Sequence, residues 1–151
     1  MSRQGKSKIC GQYKNLTFEH VPPKSTFNYR PVKLVNGFEL LSEDRLPWDT
    51  SGLNGKIQQK GKGDYYLCAD CNNKTGAWYI PYYQEFVIGI YKALIGIDLS
   101  QVGGLEIKTD KLRPLAIIKQ ILVMFCDINN DCFGNENLRE FFWIKIIIHL
   151  I

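Results

Sequence analysis

The sequence predicts an α+β protein, and three observations carry that reading. The first half holds two short strand-like segments set off by Gly, Pro and Asn, and the second half repeats apolar residues at helical spacing. With 45% hydrophobic and 13% aromatic residues in 151, the chain can bury a real core within a single domain. Charge divides along the same line: residues 1–74 hold 12 Lys/Arg against 7 Asp/Glu, whereas residues 75–151 hold 7 against 8. A basic first half favours a polyanionic partner on that side.

The elements follow in order. Residues 1–9 read as a polar arm, and Gly11–Asn15 as a turn into a strand running from Leu16 to Glu19 and ending at His20. Val21-Pro22-Pro23 then stops the strand, since proline has no N–H to give a ladder. Residues 26–64 are a long irregular stretch with room for a strand near Phe38–Leu41 and a flexible basic run at Gly55–Lys62. Tyr65-Tyr66-Leu67 makes a second strand that leads into Cys68-Ala69-Asp70-Cys71 and a helix.

Beyond this point the period is helical. Tyr83, Phe86, Val87, Ile90, Tyr91 and Leu94 share one helix face, with Pro81 in its first turn and Gly96 at its end. Leu115, Ile118, Ile121, Leu122 and Phe125 form a second face behind Pro114, and a third helix opening near Asn135 carries Leu138, Phe141, Phe142 and Ile148. These stripes are packing surfaces. Phe141–Ile151 is apolar but too short to span a membrane, so it reads as a core helix; its abrupt end suggests a C-terminus shorter than in related chains. The opening Met-Ser-Arg-Gln-Gly-Lys-Ser-Lys lacks the apolar run of a secretory signal, which points to the cytoplasm.

An odd count of five cysteines in such a setting argues against a disulfide framework. Cys68 and Cys71 have the spacing that lets two thiolates chelate one zinc from a tight turn, and Cys10, followed by Gly11, can add a third sulfur. A fourth cysteine would stand three positions before Cys10, where the chain has Ser7. Cys126 and Cys132 fit no common zinc turn and read as small buried hydrophobes. Neither nucleotide-binding glycine fingerprint is present. With only two histidines, and His149 in the apolar tail, any imidazole chemistry falls to His20.

Cys10-Gly11, then Leu16-Thr17-Phe18-Glu19-His20-Val21-Pro22-Pro23-Lys24-Ser25, then Leu67-Cys68-Ala69-Asp70-Cys71-Asn72-Asn73-Lys74-Thr75-Gly76 resemble the HNH endonuclease family of the zinc-knuckle type. The resemblance spans Cys10 to about Tyr79. It implies a ββα-metal core over residues 1–79, interrupted by an insertion at about 26–64; the helical region over 80–151, which the family core does not account for, is expected to pack on it as one compact domain. It further implies metal-dependent hydrolysis of phosphodiester bonds in DNA, with His20 as general base and with Glu19 and Asn72 as ligands of a catalytic Mg²⁺ or Mn²⁺. Cys10, Cys68 and Cys71 would hold a structural Zn²⁺. Lys24, Arg30 and Lys74 are near enough to these motifs to hold phosphate, and Lys74 is the one carried forward.

Three positions depart from the family pattern. The Asn that normally pins the hairpin loop is missing near Gly63-Asp64, Ser7 replaces a zinc cysteine, and Asn72 replaces the final histidine while keeping a ligand oxygen. Two alternatives stand beside the nuclease: a zinc-knuckle protein that binds nucleic acid without cutting it, and a relic of the motif that acts through its helices on a protein partner.

Overall fold

A three-stranded antiparallel sheet organises the first half of the molecule, in the order β1-β2-β5. Its strands are β1 (Arg3–Lys6), β2 (Tyr13–His20) and β5 (Gly63–Cys68). The computed structural model describes residues 3–41, 46, 49–97, 112–129 and 136–143. β1 lies within the polar arm expected over residues 1–9. Arg-Gln-Gly-Lys has no apolar alternation, but an edge strand needs only its backbone to join a ladder, and Arg3 to Lys6 pair with Leu16 to Tyr13. The pairing of β2 with β5 runs from Leu16↔Cys68 to His20↔Gly63 and slips between Thr17 and Phe18, leaving Tyr66 as the extra residue of a bulge.

The long stretch between β2 and β5 is more ordered than its composition suggests. A 3-10 turn at Lys24–Thr26 follows the prolines, and β3 (Val32–Val35) pairs antiparallel with β4 (Gly55–Gln58) in a second small sheet. The expected strand at Phe38–Leu41 is instead part of a short helix, α1 (Gly37–Leu41). Asn36 Oδ1 accepts the Phe38 N–H at 2.9 Å, a local bond that favours a helical start over a strand.

Helix α2 (Ala69–Trp78) starts directly where β5 ends and packs across β2 and β5. α3 (Ile80–Leu94) follows with Pro81 in its first turn, and Gly96 adopts the left-handed φ of +81° just past its end. Next come α4 (Pro114–Ile128) and α5 (Glu136–Trp143). The core gathers Ile9, Leu67, Cys68, Cys71, Tyr79, Val123, Cys126 and Phe142, and the Tyr79 hydroxyl donates to the Phe142 carbonyl. Burial of Cys126 matches its reading as a small hydrophobe; Cys132, His149 and Ile148 lie outside the described residues.

Two helices present their stripes differently from expectation. No residue of α3 is fully buried, and its expected face is half-buried, with Tyr91 exposed. In α4 the expected face is largely outward, with Ile118, Ile121 and Phe125 exposed, while Ile117, Lys119, Gln120, Val123, Cys126 and Asp127 point inward. A helix apolar on nearly every side lets its neighbours choose the buried face. Val123 and Cys126 meet the core of β5 and α2, and this turns Asp127 inward with them. Among the described residues, no helix is long and apolar enough to cross a membrane.

Candidate metal centre and catalytic site

The turn joining β1 to β2 and the start of α2 bring three sulfurs together. Gly11, with φ +69°, closes the first turn by donating its N–H to the Ser7 carbonyl at 2.9 Å, and the Ser7 N–H reaches the Gln12 carbonyl at 2.9 Å. This geometry sends Cys10 toward Cys68 and Cys71, and the three Sγ atoms lie within 4.8 Å of one another. The Cys10 and Cys68 sulfurs are 3.9 Å apart, far beyond a disulfide bond but close to the ~3.8 Å between ligands of a tetrahedral zinc with ~2.3 Å bonds. The cluster can therefore hold a metal ion such as zinc.

The surroundings favour a thiolate at Cys68 and oppose one at Cys71. Burial works against a charged Cys68, yet the Cys71 N–H and hydrogen bonds with Ser7, Cys71 and Cys10 outweigh it and pull the thiol below its ordinary value. Burial and the neighbouring Cys68 push Cys71 up to about 12. Without a cation, then, one thiolate is tolerated and a second is resisted. Ser7 is 0% exposed, and its hydroxyl accepts the Cys68 N–H at 3.1 Å, at the edge of the cluster where a fourth ligand belongs.

At the far end of β2, the His20 Nε2 lies 2.9 Å from the Lys60 carbonyl. A carbonyl only accepts, so this bond places the ring proton on Nε2 and leaves the Nδ1 lone pair as the basic position. Two residues further on, Lys62 is clamped by Asn28, whose role nothing in the sequence spacing signalled. Its Nδ2 donates to the Pro22 carbonyl at 2.6 Å and to the Lys62 carbonyl at 2.7 Å, and its Oδ1 accepts the Lys62 N–H at 2.7 Å. The Val21 N–H adds a 3.0 Å bond to the same Lys62 carbonyl. This clamp, supplied from the segment after the prolines, ties the start of β5 to the end of β2. Gly61 passes so close that a Cβ there would lie 2.2 Å from the Asn28 carbonyl oxygen.

Glu19 and His20 are neighbours on one strand and leave it on opposite faces. His20 and Phe18 share the open face, their rings meeting edge-on at 5.3 Å. Glu19 turns toward the interior, where Oε1 is sealed from solvent and has no hydrogen-bond partner. Burial, reinforced by the charge of Asp127 and opposed by the Leu67 N–H, pushes its carboxyl up to about 9. Asn72, in the first turn of α2, donates Nδ2 to the Thr17 hydroxyl at 2.9 Å, and Thr17 donates on to the Leu67 carbonyl at 3.0 Å. That leaves Oδ1 as the acceptor atom of the Asn72 amide. Thr17 shares the Glu19 face of β2, so Asn72 and Glu19 approach the sheet from the same side. Lys74 holds its Nζ 5.2 Å from the centre of the Trp143 ring.

No protein-family model, curated protein or solved structure matches this chain.

Proposed function

We propose that this protein is a metal-dependent endonuclease that hydrolyses phosphodiester bonds in DNA, built on the ββα plan of the HNH endonucleases. One arrangement carries the reading: β2, β5 and α2 follow that plan's order, with His20 at the strand end, Asn72 in the first helical turn and the thiolate cluster where β5 meets α2. His20 Nδ1 takes the proton of the attacking water, and the Nε2–H bond to Lys60 keeps the ring in the tautomer that can do so. Glu19 and Asn72 present hard oxygens, and the orphaned Glu19 Oε1 fits them to a divalent cation such as Mg²⁺ or Mn²⁺. When bound, that ion relieves the charge that grows on the leaving 3′ oxygen. Zinc at Cys10, Cys68 and Cys71 braces the turn from which α2 sets out.

A second reading, a zinc-braced module that binds nucleic acid without cutting it, draws on the opposite faces taken by Glu19 and His20. Supercoiled plasmid with Mg²⁺ or Mn²⁺ separates the two. The nuclease reading expects wild type to nick or linearise it and His20→Ala to lose that activity. Salt-dependent binding without cleavage by either protein selects the second reading.

A further inference from the structure

We infer that Asp127, from α4, joins Glu19 in a buried site for a hard divalent cation, so that the helical region supplies a ligand to the nuclease core. The inference deepens the proposed function, because Glu19 belongs to both.

Asp127 is 2% exposed, and its Oδ1 has no hydrogen-bond partner. Glu19 Oε1 is in the same condition, and the negative charge of Asp127 bears directly on it. The two side chains come from separate parts of the fold. Glu19 descends from β2 beside Leu67, and Asp127 follows Val123 and Cys126 on the inward face of α4, against the core that includes Leu67. Tyr66, the bulged residue of β5, lies in the field of both carboxylates. Two cations act on Asp127 from other elements: Lys8, whose Nζ is given to the Asn129 carbonyl at 3.1 Å, and Lys62 at the start of β5.

Two buried carboxyl groups, each with an unsatisfied oxygen and one acting electrostatically on the other, repel one another when ionised and have forfeited their water. A proton can relieve one of them, but a divalent ion at 2.0–2.6 Å satisfies both oxygens and cancels both charges. Carboxylate oxygens select Mg²⁺, Mn²⁺ or Ca²⁺, whereas the thiolates of Cys10, Cys68 and Cys71 select zinc, so the two sites draw on different metals.

The test uses the full chain with zinc already loaded and Mn²⁺ as the probe, by titration calorimetry, for wild type, Glu19→Gln and Asp127→Asn. One Mn²⁺ per wild-type chain is expected, with at least tenfold weaker binding in each variant and unchanged zinc content. Mn²⁺ bound by Asp127→Asn as tightly as by wild type overturns the inference. Terbium luminescence supplies a measurement that does not depend on altering the carboxylates. Tb³⁺ bound there is sensitised by Tyr66, so Tyr66→Phe loses most of the emission, and unchanged emission places the ion elsewhere and overturns the site. Plasmid cleavage separates this claim from the nuclease reading. Mn²⁺ held through both carboxylates without cleavage leaves the site standing and removes the nuclease, whereas cleavage and Mn²⁺ binding that both survive Asp127→Asn do the reverse.

Discussion

Asn28→Ala removes the clamp on Lys62, two residues beyond the carbonyl partner of His20, and its cost can be worked from the bonds it breaks. Three hydrogen bonds of 2.6, 2.7 and 2.7 Å disappear from a side chain that is 8% exposed. The Lys62 carbonyl keeps its bond from Val21, so Pro22 O and Lys62 N are the groups left to find new partners. At roughly 1 kcal/mol net per bond the loss is about 3 kcal/mol, and a domain of this size then melts about 6–12 °C lower. Asn28→Asp should do no better, because it retains only the acceptor for Lys62 N and turns a carboxylate toward two carbonyl oxygens. Urea unfolding of the zinc-loaded protein measures the stability, and plasmid cleavage reports whether His20 is still held. A loss below about 1 kcal/mol with undiminished cleavage would refute the clamp.

Further outcomes follow from the same geometry. Gly61→Ala, which combines φ +84° with a Cβ 2.2 Å from the Asn28 carbonyl oxygen, should destabilise by clearly more than Gly52→Ala, where φ is +74° but nothing lies within 4 Å; about 1 kcal/mol is expected at Gly52 from the backbone alone. Cys68→Ser should abolish zinc retention by elemental analysis and lower the melting temperature, while Ser7→Cys, which adds a sulfur at the buried edge of the cluster, should hold zinc at least tenfold more tightly against a chelator. With no divalent cation present beyond zinc, stability should fall as pH rises. The folded chain keeps a proton on Glu19 up to about 9, whereas the unfolded chain releases it near 4.5, so between those values the folded state binds more protons and raising the pH favours unfolding. Asp127, raised from 3.8 to about 8, acts in the same direction, and Asp127→Asn should flatten the slope seen in pH-dependent urea titrations.

The parts of the fold legible in the sequence are those with a local physical signal. Pro81, Pro114 and Gly96 bracket helices because proline suits a first turn and glycine a left-handed exit, and the Cys68/Cys71 spacing reads as one turn at a helix start. Leu16–His20 shows as strand because proline ends it. Elements held by backbone pairing alone were illegible: Arg3–Lys6 carries no apolar alternation, and neither β3 nor β4 stands out from the polar stretch around it. Asn28 was illegible for a different reason, since its partner Lys62 lies 34 residues away and no spacing rule links them. Asp127 was masked by its neighbours, because the apolar residues of α4 suggested a buried face opposite to the one the core selects.

The proposed function turns on His20, whose ring is held by the Lys60 carbonyl, activating water for phosphodiester cleavage. The most direct measurement is the rate of supercoiled plasmid conversion in Mn²⁺ by zinc-loaded wild type beside zinc-loaded His20→Ala, both confirmed folded by circular dichroism. Cleavage by wild type and a loss of at least a hundredfold in the variant are expected, in line with the contribution of a general base. Equal cleavage by the two proteins, or none by either, contradicts it.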